Sequence, residues 1–139
     1  NTYPTYAQDK NGSISGYNIS QNMYLISHEV ATIEKLALNP NVLVEKGIYL
    51  QSSGLEYYSS KLDRIKKDLL AEATKDAKKR AEKIAGSTGD RIAKIIAVKV
   101  GVFQITEPYS TEISDYGVYN TSTKEKDITV TMNVVFSLK

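Results

Sequence analysis

The sequence predicts an α+β fold in which two helices lie on one face of a mainly antiparallel sheet, in the order β-α-β-α-β-β. Three stretches carry that prediction. Residues 60–86 repeat apolar side chains every three or four positions, as one long amphipathic helix does. Residues 128–138 alternate apolar and polar, as a half-buried strand does. Residues 92–105 are almost continuously apolar, the pattern of a strand covered on both faces in part of its length.

In chain order, residues 1–15 hold Pro4, Gly12 and many polar groups and read as an extended lead-in that ends in a turn at Asn11-Gly12. Residues 16–26 alternate, with Tyr17, Ile19, Met23 and Leu25 on one mainly apolar face of a strand. Ser27 or His28 opens a short helix that buries Val30, Ile33, Leu36 and Ala37, and Asn39-Pro40-Asn41 stops it. A second strand is expected within residues 42–52, centred on Gly47–Gln51.

The long helix follows, with Leu62, Ile65, Leu69, Ala73, Ala77, Ala81 and Ile84 on its buried face. Ser59 or Ser60 suits its N-terminal cap, and Gly86 suits the left-handed residue past its end. Asp63 with Lys67 and Asp76 with Arg80 have the favourable acid-before-base order one turn apart. The shift from Leu and Ile to Ala along the face predicts close packing of its second half. In the strand that follows, Gly101 marks a bulge or a close approach. Residues 106–126, polar and interrupted by Pro108 and Gly117, read as a long loop. The final strand turns Ile128, Val130, Met132, Val134, Phe136 and Leu138 to one side.

At 139 residues the chain is expected to form a single domain, residues 1–139, with its own core. A net charge of +2, with acids mixed among the bases, gives no basis for nucleic-acid binding. The absence of cysteine excludes disulfides and thiolate chemistry. No run of residues approaches the roughly 20 apolar positions of a membrane-spanning helix.

Catalytic patterns are scarce. His28 is the single histidine, so a histidine-based metal cluster cannot form, and its position suits a helix start or the surface. Glu107, Glu112 and Asp115 share the long loop without the spacing of a cation-binding loop. Gly86-Ser87-Thr88-Gly89 lacks the Lys-Ser/Thr ending of a phosphate loop and reads as a helix-to-strand connector. Lys75, Lys78, Lys79, Arg80 and Lys83 are interrupted by Asp76 and Glu82 and read as a solvated helix face. Tyrosine is the compositional oddity, with ten against two phenylalanines and no tryptophan. Tyr109, Tyr116 and Tyr119 lie in the long loop and are the candidate contact surface, because a tyrosine ring offers apolar area, a polar tip and few torsions to freeze.

The alanine-spaced helix from Leu70 to Ala85, the turn ending Gly89-Asp90-Arg91-Ile92, and Lys94-Ile95-Ile96 together resemble the SIMPL-domain family. The alternating final strand, Gly16-Tyr17-Asn18-Ile19-Ser20 and Gly47-Ile48-Tyr49-Leu50 extend that resemblance over roughly residues 14–139. Asp90 departs from the Leu-Gly type of pair common in that turn. The strand and helix that usually precede the family's Gly-Tyr strand are not recognised, so the chain is expected to be a piece of a longer protein.

The resemblance implies a bacterial, extracytoplasmic protein of the periplasm or cell envelope, linked in some members to oxidative-stress defence. Some members assemble into ring- or channel-like oligomers. It implies no catalytic residue and no cofactor. The resulting expectation is a non-enzymatic domain that acts by self-association or by binding another envelope protein. A small-ligand or envelope-polymer binding module that uses the sheet face and the loop is the alternative. An enzyme built from loop carboxylates and tyrosines is a third.

Overall fold

The computed structural model describes residues 2–139, with side chains from residue 5 onward. Its contacts divide the chain into two compact units, Asn1–Gly54 and Leu55–Lys139.

The first unit opens with a hairpin of β1 (Thr2–Gln8) and β2 (Ile14–Gln21), paired antiparallel. The stretch expected to be a lead-in is therefore a strand. The turn that makes it one falls where the sequence places it. The Asp9 carboxylate accepts N–H bonds from Asn11 (2.8 Å) and Ser13 (2.9 Å), and the Gly12 N–H donates to the Asp9 carbonyl. With the chain folded back, the Tyr6 and Tyr17 rings meet across the strands at 5.4 Å between centroids. The face expected to be apolar and covered is open, however: Tyr17 and Ile19 are exposed.

Helix α1 (Val30–Leu38) follows and ends at Asn39, as its Asn-Pro-Asn stop requires. Ile33, Leu36 and Ala37 are half-buried, Val30 is exposed, and no residue of the helix is buried. The strand expected within residues 42–52 does not form. Pro40 instead starts a one-turn helix, α2 (Asn41–Val44), because its ring already holds a helical backbone angle. Gly47 closes that turn with a positive φ of 75°. Its N–H bonds the Val44 carbonyl and the Ile48 N–H bonds the Leu43 carbonyl. Local capping thus overrides the β propensity of Val42-Leu43-Val44.

The second unit is built on α3 (Leu62–Ser87) and a three-stranded sheet, ordered β4-β3-β5, formed by β3 (Ile92–Thr106), β4 (Val118–Tyr119) and β5 (Asp127–Leu138). The α+β class and the long amphipathic helix are as the sequence predicts. Strand β5 behaves as its alternation dictates, with Ile128, Val130, Met132, Val134 and Phe136 half-buried and Thr129, Thr131 and Asn133 exposed. The pattern breaks at the open end, where Ser137 is half-buried and Leu138 exposed. Helix α3 lies on β5, where the Thr74 hydroxyl is 3.9 Å from the Met132 sulfur.

The inward face of α3 runs Leu62, Lys66, Leu69, Ala73, Ala77, Ala81 and Ala85. Ile65 and Ile84, expected inside, are 40% and 70% exposed, while Ala85 is 6% exposed. Apolarity alone points to the isoleucines. Close approach of helix to sheet favours the smaller alanine at the tight end. No side chain caps the helix start, and Ser59 instead accepts the Lys61 N–H in a preceding turn. Gly86 remains helical, so the left-handed terminator lies at Gly89 (φ 84°). The Gly89 N–H bonds the Gly86 carbonyl and the Asp90 N–H bonds the Ala85 carbonyl, which satisfies the last turn and turns the chain into β3.

Strands β3 and β5 pair antiparallel, with irregularities at Ile92/Ile95, Ile95/Ala97 and Val100/Phe103. The last of these contains Gly101, so the glycine marks a bulge as expected. A side chain there would also stand 3.2 Å from the Thr131 carbonyl oxygen. Burial in β3 is confined to its final residues, where Gln104, Ile105 and Thr106 are consecutive and all buried, as covering on both faces requires. The preceding Ile96, Val98, Val100 and Val102 are exposed, contrary to a generally covered strand. Residues 106–126 are not a simple loop, because Val118 and Tyr119 return to pair in parallel with Gln104 and Ile105. Among the described residues no helix is long and apolar enough to cross a membrane.

Candidate functional site

The segment between β3 and β5 carries the three candidate tyrosines, and its polar composition hides how firmly it is held. The Asn120 N–H donates to the Ile105 carbonyl (2.8 Å), and the Tyr57 N–H donates to the Thr121 carbonyl (2.7 Å). The buried Gln104 amide acts as a short strand of its own. Its Nε2 donates to the Ser114 carbonyl (2.7 Å), and its Oε1 accepts the Ser114 N–H (3.4 Å). Gly117 has a φ of 87°, and a side chain there would stand 2.9 Å from the Phe103 carbonyl oxygen. Only glycine lets the chain pass so close to β3 and turn into β4.

Tyr109 is presented differently. It is the only non-glycine residue among those described with a positive φ (63°), and the Asp127 carboxylate accepts its N–H at 3.0 Å. Left-handed backbone costs an ordinary residue about 1–2 kcal/mol. A charge-assisted hydrogen bond of this kind offsets that cost. Tyr109 is 97% exposed, and Tyr116 98%.

Tyr116 and Tyr119 line one cleft of about 310 Å³ together with Leu62, Lys66, Phe103 and Ile105. Tyr109 is not part of its wall, so the structure brings together two of the three candidate residues. The Lys66 ammonium lies 5.3 Å from the Phe103 ring centroid. Such a contact is worth about 0.5–1 kcal/mol at a partly exposed site. Beside the cleft, the Tyr58 ring stacks obliquely on Tyr119 at 6.1 Å. The Tyr58 hydroxyl donates to the Glu56 carboxylate (2.7 Å), and this bond, more than burial or nearby charge, raises the phenol above its ordinary pKa of 10.0. Burial lowers the pKa of Lys126, whose ammonium donates to the Thr123 carbonyl.

Lys66, Phe103 and Gln104 escape a sequence reading, yet Lys66 and Gln104 leave a trace. Lys66 interrupts the apolar stripe midway between Leu62 and Leu70, where a charge is out of place unless its stem is used. Gln104 is the polar interruption in Val102–Phe103–Gln104–Ile105.

Other candidates fall elsewhere. His28 is exposed in the first unit, where its carbonyl accepts the Val30 N–H. Among the described residues Glu107, Glu112 and Asp115 form no group with other metal-ligating side chains. On α3, Lys78 pairs with Glu82 and Arg80 with Asp76, all solvent-exposed, and Arg64 pairs with Asp68 where Asp63 with Lys67 was expected. The turn at Gly86–Gly89 serves as the helix-to-strand connector, bordering a separate hollow of about 420 Å³ that also meets Glu82 and Arg91.

Residues 1–136 match the model of the SIMPL family, described as "Protein of unknown function (DUF541)". No curated protein and no solved structure matches the chain.

Proposed function

The chain belongs to the SIMPL family, whose function is unknown, and we propose that it works without catalysis, by self-association or by binding a protein partner at the cell envelope. Tyr109, Tyr116 and Tyr119 form the contact surface in this reading. One observation carries it: two tyrosine rings stand almost wholly in solvent on a segment pinned by backbone and buried-amide hydrogen bonds. Rings held out on an ordered backbone lose little freedom on contact, which is how a small surface gains affinity. The envelope location rests on the family resemblance alone.

Changing Tyr109, Tyr116 and Tyr119 together to serine is expected to weaken association by about tenfold or more, as loss of aromatic anchors does, while the circular-dichroism spectrum stays native. Mass measured by light scattering over a concentration series reads this directly. Association that survives the triple change intact would remove the loop as an interface.

The cleft favours a second reading, a small-ligand or envelope-polymer module. Aromatic walls with one ammonium suit a planar or sugar-like ligand carrying negative charge. A thermal shift with such a ligand that disappears in Lys66→Ala would support it. A flat response across anionic glycans and small aromatic acids would count against it.

A further inference from the structure

We propose that the free edge of β5 pairs, antiparallel, with the β5 edge of a second copy of this chain about a twofold axis through Asn133. The proposal deepens the self-association reading but uses a surface distinct from the tyrosine loop.

The two outer edges of the sheet are treated differently. Among the described residues β5 pairs only with β3, and β4 covers only Gln104 and Ile105 on the far side of β3. The uncovered part of β3 is guarded. Strand β3 as a whole spans 15 residues against 12 in β5, and the extra residues fall at the three irregularities, all on the β3 side and all in its uncovered part. It also carries Lys94 and Lys99. Bulges and lysines are the usual means of keeping an edge from pairing.

Strand β5 has none of these devices. From Ile128 to Leu138 it contains no charge, no proline and no glycine. Among the described residues no strand pairs with its outer side, and its run against β3 has no extra residue.

The sequence of β5 is also complementary to itself. Its flanking charges, Asp127 and Lys139, lie six residues to either side of Asn133. Antiparallel pairing centred on Asn133 therefore sets Asp127 of each copy opposite Lys139 of the other. The same register places Ile128 opposite Leu138, Val130 opposite Phe136 and Met132 opposite Val134, so the α3-facing apolar surface continues across the seam. Thr129 meets Ser137, Thr131 meets Val135 and Asn133 meets Asn133 on the other face. A slip by one residue would set every residue of the α3-facing row opposite one of the other face, so the apolar row would no longer run across the seam. A slip by two would part Asp127 from Lys139 in both pairs, setting Lys139 opposite Glu125, beyond the strand, or opposite Thr129. Asp127 accepts the Tyr109 N–H through Oδ2, and a carboxylate has further acceptor positions for a lysine.

The test uses the absence of native cysteine, which makes any introduced thiol unique. Directly opposed residues of an antiparallel pair have Cα atoms about 4.5–5.5 Å apart, within the roughly 4.4–6.8 Å a disulfide spans. Under mild oxidation the Asn133→Cys chain is expected to form a covalent dimer. Thr129→Cys alone is expected to form none, and a mixture of Thr129→Cys with Ser137→Cys to form the mixed dimer. Asn133→Lys sets like charges face to face at an exposed position and is expected to raise the dimer dissociation constant at least about tenfold.

No cross-link from Asn133→Cys, or equal cross-linking from Thr129→Cys alone, would overturn the register and with it the proposal. So would a monomeric mass at all concentrations together with protected β5 amides, which would mean that another segment of the same chain covers the edge. The two readings fail separately. A tyrosine triple variant that still associates, alongside an intact Asn133→Cys cross-link, removes the loop and keeps the edge. Loss of association in the triple variant without any cross-link does the reverse.

Discussion

Two glycines with nearly the same backbone angle face different surroundings. Gly89 (φ 84°) has open space where a side chain would go, whereas Gly117 (φ 87°) has the Phe103 carbonyl oxygen 2.9 Å away. Gly89→Ala should cost only the left-handed backbone, about 1–2 kcal/mol. Gly117→Ala adds a steric clash and should cost more, about 2–4 kcal/mol, as strain and displaced backbone accumulate. Urea denaturation of both variants checks the order, and equal costs would mean that β3 and the turn at Gly117 part easily enough to admit a side chain. At Tyr58, the phenol is stabilised in its protonated form by the Glu56 carboxylate. Its folded pKa therefore lies above the unfolded value, so its contribution to stability is full below about pH 10 and is lost as pH rises through the folded pKa. The tyrosinate absorbance of Tyr58, taken as the difference from Tyr58→Phe, should move to lower pH in Glu56→Gln. An unmoved titration would show that the bond is not held in solution.

At the scale of the element, α3 separates periodicity from fit. Its apolar repeat is legible as a stripe, but the stripe is wide enough for either Ile84 or Ala85 to point inward. The structure buries the alanine at 6% exposure and leaves Ile84 at 70%, as close packing at the end of the helix favours the smaller side chain. Ala85→Leu should therefore destabilise by about 1–3 kcal/mol through overpacking, and Ile84→Lys should stay within about 0.5 kcal/mol of the native chain. Reversed magnitudes would mean that the helix is rotated. The same distinction explains α2. Val42, Leu43 and Val44 have strand-forming side chains, yet Pro40 before them and Gly47 after them supply a helix start and a helix stop. Strand β4 was illegible for another reason: two residues are too few to show a period.

At the scale of the whole molecule, burial is uneven. In residues 5–54 no side chain is buried, while Gln104, Ile105, Thr106 and Ala85 in the second unit are. Large apolar groups of the first unit, among them Ile19, Met23, Tyr24 and Ile26, are exposed. Exposed apolar surface of this kind marks places where a molecule gains from contact. A fragment spanning Leu55–Lys139 should keep a cooperative thermal transition, since its sheet, helix and capping bonds are internal to it. A fragment spanning Asn1–Gly54 should show none, because none of its described side chains, from residue 5 onward, is buried. Calorimetry on the two fragments distinguishes these outcomes, and a cooperative Asn1–Gly54 would show that its hairpin suffices.

What the sequence determined by itself is whatever depends on local pattern: the α+β class, the long helix, the two-residue alternation of β5, the Asn11-Gly12 turn, the Gly101 bulge and the family. Each follows from spacing or from the conformational limits of one residue. The candidate tyrosines were visible in composition, as was their place in a polar segment. Only the tertiary structure decided that this segment is pinned by Gln104, that Tyr116 and Tyr119 share a cleft with Lys66 and Phe103, and that Tyr109 stands apart on a left-handed backbone held by Asp127. Those facts join residues far apart in the chain, and close approach, unlike periodicity, leaves no repeat in a sequence to be read.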